Sequence, residues 1–155
     1  MKWREVVESG AAVFIGQYQH TVDGKGRMFM PARFREQLGD AFIITRGLDN
    51  CLFIYTQDEW ADLTAKLESL QFTRRDHRAF ARMFFSGAAE CTLDGQGRCL
   101  IPPHLRDHAR LEREAVIIGV SNRIEVWSRQ GWETYNEQAA VSYEDTAEKL
   151  ESLEM

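Results

Sequence analysis

The chain states one motif twice. Residues 21–35 read TVDGKGRMFMPARFR, and residues 92–106 read TLDGQGRCLIPPHLR. At an offset of 71, Thr, Asp, Gly, Gly, Arg, Pro and Arg recur in place. The apolar positions keep the same register: Val22 with Leu93, Met30 with Ile101, Phe34 with Leu105. Such a chain is expected to build one unit twice. An arginine just after a glycine turn then suggests a binding surface made in duplicate. An enzyme ordinarily needs one asymmetric pocket rather than two equivalent tips, and this chain is not expected to be one.

Local patterning fills in the unit. Residues 14–22 favour a strand, DGKG supplies a turn, and RMFM returns as a second strand, a hairpin. Gly suits the turn because it takes positive φ without a Cβ clash. Pro31 ends the pairing, and ARFREQL reads as a short helix stopped by Gly39. FIIT (42–45) and CLFIY (51–55) are further strands around GLDN. The second half repeats the plan: CTL and RCLI flank DGQG, PPHLRDHA is the short helix, and VIIGV (116–120) and RIEVW (123–127) are the later strands. Its connection after the short helix reads as about three residues longer on this alignment. Trp60 and Trp132 take similar places after the last strand of each half. Between the halves, Trp60, Leu63, Leu67 and Leu70 have helical spacing over 58–70. A second helix over 74–86 is expected to turn Phe80, Met83 and Phe84 inward and Arg75, Arg78 and Arg82 outward. The tail, 133–155, reads as one or two polar, peripheral helices.

With 155 residues, the chain fits one domain or two small halves sharing a core. No apolar run reaches the ~20 residues a membrane helix needs, and the first residues do not resemble a signal peptide. The expected location is cytosolic. The three cysteines, Cys51, Cys91 and Cys99, lack close pairs and read as buried free thiols. A zinc site joining Cys99, His104 and His108 lacks a fourth ligand, and its equivalents Met28, Arg33 and Gln37 could not bind zinc. No cofactor or metal is expected. The net charge of −5, taken whole, opposes nucleic-acid binding, but it is unevenly spread. Residues 133–155 hold seven acids against Lys149 alone, so the rest sums to +1. A local basic site is compatible with that distribution.

The repeated Asp-x-x-x-Arg loop has rival readings. G-x-G lacks the third glycine and the strand–loop–helix setting of a nucleotide loop. A structural role has Asp23 bracing Arg27, and Asp94 bracing Arg98. A functional role puts Lys25 and Arg27 at a slim tip, able to reach phosphate or a base edge. Arginine suits bidentate contact with guanine, and a two-stranded ribbon can enter a major groove. The roles are compatible, because a carboxylate can orient the arginine that reads DNA.

YQHTVDGKGRMFMPARFREQLGD and SGAAECTLDGQGRCLIPPHLRDHA resemble the two signature segments of the MraZ family of bacterial transcriptional regulators. The resemblance covers residues 14–132, and the first dozen residues look like an extension. It implies an α+β fold of tandem swapped-hairpin, AbrB-like modules (the double-split β-barrel type) with intervening helices. The implied division is a SpoVT-AbrB-like repeat at 17–60, a helical connector at 61–87, a second repeat at 88–132 and an acidic tail at 133–155. It further implies a ring-like homo-oligomer, associated with the nucleoid, that binds double-stranded DNA at promoter direct repeats. Repression of its own division and cell-wall gene cluster is the implied output. The family's Asp-x-x-x-Arg pattern maps onto Asp23, Arg27, Asp94 and Arg98. Lys25 has Gln96 as its counterpart, which gives the first tip more electrostatic affinity. The alternative is a ring-forming structural module without sequence-specific DNA binding.

Overall fold

The computed structural model describes residues 12–151. The expected N-terminal extension, up to residue 11, and the last four residues of the tail lie outside them. The chain is α+β, with eight strands and six helices among the described residues. In order these are β1 (Gln17–Thr21), β2 (Arg27–Phe29), α1 (Ala32–Leu38), β3 (Ala41–Arg46), β4 (Leu52–Thr56), α2 (Gln57–Leu67), α3 (Arg75–Gly87), β5 (Ala89–Thr92), β6 (Arg98–Leu100), α4 (Pro103–Ala109), β7 (Glu114–Gly119), β8 (Ile124–Ser128), α5 (Arg129–Val141) and α6 (Tyr143–Glu151).

The strands pair across the repeats. One open antiparallel sheet runs β1-β7-β8-β4-β3-β5, and β2 pairs with β6 in a separate ribbon. Exchanging the halves reverses the order of the sheet onto itself, which is a pseudo-two-fold axis between β4 and β8. Register agrees: Thr21 faces Glu114, and its equivalent Thr92 faces Ala41. The expected hairpin therefore forms only at its tip. A single bridge, Val22 to Met28, joins its sides before β1 leaves for β7 and β2 for β6.

The registers also correct the spacing. The offset grows from 71 to 73 at β3 and β7, so the connection gains two residues rather than three. It returns to 72 at β4 and β8, because a three-residue loop at 48–50 becomes a two-residue loop at 121–122. Asp49 and Asn50 both take φ 63° in the first loop, a conformation Asp and Asn tolerate better than most residues.

One core serves both halves. It contains Met28 with Cys99, Met30 with Ile101, Phe34 with Leu105, Leu38 with Ala109, Ile44 with Ile117, Leu52 with Ile124 and Ile54 with Val126, each pair related by the repeat. Fully burying each large member contributes about 1.5–3 kcal/mol. β4 is buried along its whole length, as a central strand covered on both faces should be. The second face carries Phe53, Tyr55, Val116 and Trp127 beneath α2, α3 and α5. α2 and α5 start alike: Thr56 and Ser128 accept from the N–H of Glu59 and Gly131 at 3.1 and 2.9 Å. These bonds satisfy donors that helix starts leave free.

α3 departs from expectation. Phe84 is buried and stacks on Trp60 at 5.5 Å, but Phe80 and Met83 are 40% and 55% exposed. Among the described residues no helix is long and apolar enough to cross a membrane.

Candidate nucleic-acid interface

Each tip is organised by its aspartate. Asp23 Oδ1 accepts from the backbone N–H groups of Lys25 and Arg27, both at 2.9 Å. Its Oδ2 accepts from Arg27 Nε at 2.7 Å. Asp94 repeats this with Gln96 and Arg98 at 2.9 Å and Arg98 Nε at 2.8 Å. The Gly26 and Gly97 N–H groups close the turns onto the Asp23 and Asp94 carbonyls, both at 3.0 Å. The Arg27 and Arg98 backbone N–H groups, with the other donors, hold both carboxyls below the usual carboxylate range, because these bonds favour the charged form.

The bracket uses only one end of Arg27. Its two terminal nitrogens make no hydrogen bond among the described residues. A guanidinium fixed at Nε and free at Nη1 and Nη2 is an oriented bidentate donor. Arg98 is held more closely. Its side chain is 19% exposed against 33% for Arg27, and Nη1 also lies 3.8 Å from Asp23. Its guanidinium stands 6.0 Å from the Phe29 ring.

The ribbon brings the two brackets together. Arg27 faces Leu100, Met28 faces Cys99, and Phe29 faces Arg98. Side chains alternate along a strand. Met28 and Cys99 therefore turn inward, where both are buried, and Phe29 and Leu100 stand exposed beside the two arginines. The hydrogen bonds from Met30 N–H to Gly97 O and from Ile101 N–H to Gly26 O, both 2.9 Å, tie each strand to the opposite tip. The result is a short, two-fold face with cations on a partly apolar platform. Lys25 lies exposed at the first tip.

Sequence reasoning missed a second arginine pair. The helix-borne Arg106 lies against Gly26, and Arg35 lies against Gly97, each in the other repeat. Arg106 Nε also donates to Ile101 O at 3.0 Å. A Cβ on Gly26, which takes φ 86°, would sit 2.7 Å from the Arg106 guanidinium carbon. These glycines thus serve close approach as well as turning. The signal was present, since Arg35 and Arg106 recur in place, but their target lies in the other copy of the motif.

Other candidates do not converge. Burial pushes the Cys99 thiol up to about 12 and the Cys91 thiol up to about 11, and moves Cys51 the same way. The His104 and His108 Nε2 atoms lie 3.0 and 3.3 Å from the carbonyls of Gly87 and Gly47. Neither is directed with Cys99 at a common point. His20 sits in a strand, its ring 6.3 Å from Phe29. Among the described residues no three His, Cys, Asp or Glu side chains are placed to hold a metal ion.

Fold and site together define a tandem-repeat α+β protein that presents paired Asp–Arg brackets on an inter-repeat ribbon. The chain matches the family described as "MraZ protein, putative antitoxin-like" twice, over residues 13–83 and 84–152. It is 61% identical over 138 residues to "Transcriptional regulator MraZ" of Heliobacterium modesticaldum, covering 89% of this chain and 96% of that one. The proteins of that name from Desulforamulus reducens and Pelotomaculum thermopropionicum are 57% and 59% identical, over 91% and 92% of this chain and 99% of each relative. The chain belongs to the MraZ family.

Proposed function

We propose that this protein is a sequence-specific, DNA-binding transcriptional regulator rather than an enzyme. The observation that carries the reading is the pairing of Arg27 and Arg98 on one solvent-facing ribbon. The names of the relatives support it. In this reading Asp23 and Asp94 orient the two arginines, Arg27 donates to a base edge through its free fork, and Lys25 contacts phosphate. Arg98 is the weaker reader, more enclosed and beside Gln96. The cations Lys25, Arg27, Arg35, Arg98 and Arg106 outnumber the two aspartates. The acidic whole therefore presents a locally basic face.

The two modules, 17–60 and 88–132, form together one swapped-hairpin, double-split β-barrel unit. Residues 61–87 connect them, and 133–155 are the acidic tail. Copies join head to tail in a ring, which presents its readers in one direction and so suits direct repeats. Readers about 34–36 Å apart would meet successive helical turns, and several weak contacts combine into tight binding. The target is the promoter of the chain's own division and cell-wall gene cluster, which it represses in the cytoplasm at the nucleoid.

Footprinting the purified protein on its own upstream region tests this. Protection of regularly spaced repeats, weakening with salt, is expected. No protection beyond that on unrelated DNA would reject it in favour of a structural ring.

A further inference from the structure

We propose that α3 of one copy seats in the groove between α5 and α6 of the next, and that this is the contact that joins the copies. The inference rests on the ring of the preceding subsection and specifies its interface. The two surfaces are both partly apolar and carry opposite charge. α3 exposes Phe80, Met83 and Phe85, with Phe72 just before it. Residues 74–87 carry Arg74, Arg75, Arg78 and Arg82 against Asp76 alone, and Arg75 and Arg82 stand exposed. The opposite end of the chain is the complement. α5 and α6 bury no residue. Between them lies a groove of about 520 Å³ lined by Tyr135, Ala139, Tyr143, Ala147 and Leu150. Residues 129–151 carry six carboxylates against Arg129 and Lys149.

The pseudo-two-fold supplies an independent argument. After β4, α2 and α3 fold back, and Phe84 covers Trp60 and the sheet. After β8, α5 takes the place of α2, but α6 packs mainly on α5. The second repeat thus has an open helix pair where the first has a closed one. Each copy carries both a basic aromatic helix and an acidic open groove, so the same pair of surfaces can repeat from one copy to the next. They fit a heterologous, head-to-tail contact, which closes into a ring when the rotation allows.

Light scattering on the full chain at micromolar concentration tests this, with the charge reversals at exposed positions. Arg75→Glu with Arg82→Glu should lower the mass from the wild-type value to one or two chains. Glu144→Arg with Glu148→Arg should do the same. All four changes in one chain should restore the wild-type mass, because the charges again oppose. Cysteine trapping needs no charge change: copies carrying Met83→Cys, mixed with copies carrying Ala139→Cys, should yield a two-chain disulfide joining those positions. Wild-type mass in both reversed variants, no rescue in the combined chain, or no trapped pair would overturn the interface while leaving the ring intact. A wild-type protein of one- or two-chain mass would overturn the ring and the interface with it.

Discussion

Gly26 and Gly24 sit two residues apart in one tip yet should respond oppositely to alanine. Gly26 takes φ 86° and has the Arg106 guanidinium against the position of any Cβ, whereas nothing lies within 4 Å of one on Gly24. Gly26→Ala should destabilise by about 1–3 kcal/mol, and Gly24→Ala should stay within about 0.5 kcal/mol of wild type. Denaturant titration separates the two, and equal losses would contradict the cross-repeat brace. The aspartates make a second prediction. Their folded pKa values are lowered, so the stability they add is complete above about pH 4 and is lost as pH falls through the folded values. The gap in stability between wild type and Asp23→Asn with Asp94→Asn should be full at neutral pH and shrink in acid. A gap constant across that range would rule the brackets out as a source of acid sensitivity. The bracket itself was legible in the sequence because Asp and Arg lie four residues apart. Arg35 and Arg106 were not, because each acts on the repeat it does not belong to.

The strands were legible, but their partners were not. Period-two patterning marks residues that can line a sheet without naming the neighbour. The Asp-Gly turn suggested a hairpin, but cross-repeat pairing consumes β1, β2, β5 and β6 beyond the tips. Likewise the spacing in α3 announced an apolar face, not what covers it. Phe84 finds Trp60, and Met83 stays exposed. The inter-repeat ribbon can be checked chemically. Met28 faces Cys99 across β2 and β6, both side chains inward. Directly opposed residues lie about 4.5–5.5 Å apart at Cα, within disulfide range. Met28→Cys should therefore oxidise to an intrachain disulfide with Cys99 and migrate faster on a non-reducing gel. A folded variant that stays reduced would contradict the register.

At the scale of the molecule, the repeats share one core and lend each other edge strands. Each half alone would leave its sheet edges unpaired and its core incomplete. Residues 1–70 expressed alone should be poorly folded or self-associate, and a well-folded monomer with sharp thermal unfolding would contradict the shared core. The duplicated motif made the repetition legible, but not the exchange of edge strands. The pairing of its copies on one ribbon needed the fold. In the proposed function this ribbon reads DNA through the free fork of Arg27. The most direct test is the affinity of the assembled protein for its own upstream region across a salt series, with Arg27→Ala, Arg27→Lys and Lys25→Ala beside wild type at matched mass and melting temperature. Arg27→Ala should lose about 5- to 150-fold for each base pair read, multiplied across engaged copies, and Arg27→Lys should not restore it because it lacks the fork. Lys25→Ala should weaken specific and unrelated DNA alike and flatten the salt dependence. A folded, fully assembled Arg27→Ala protein that binds its promoter as wild type does would contradict the account.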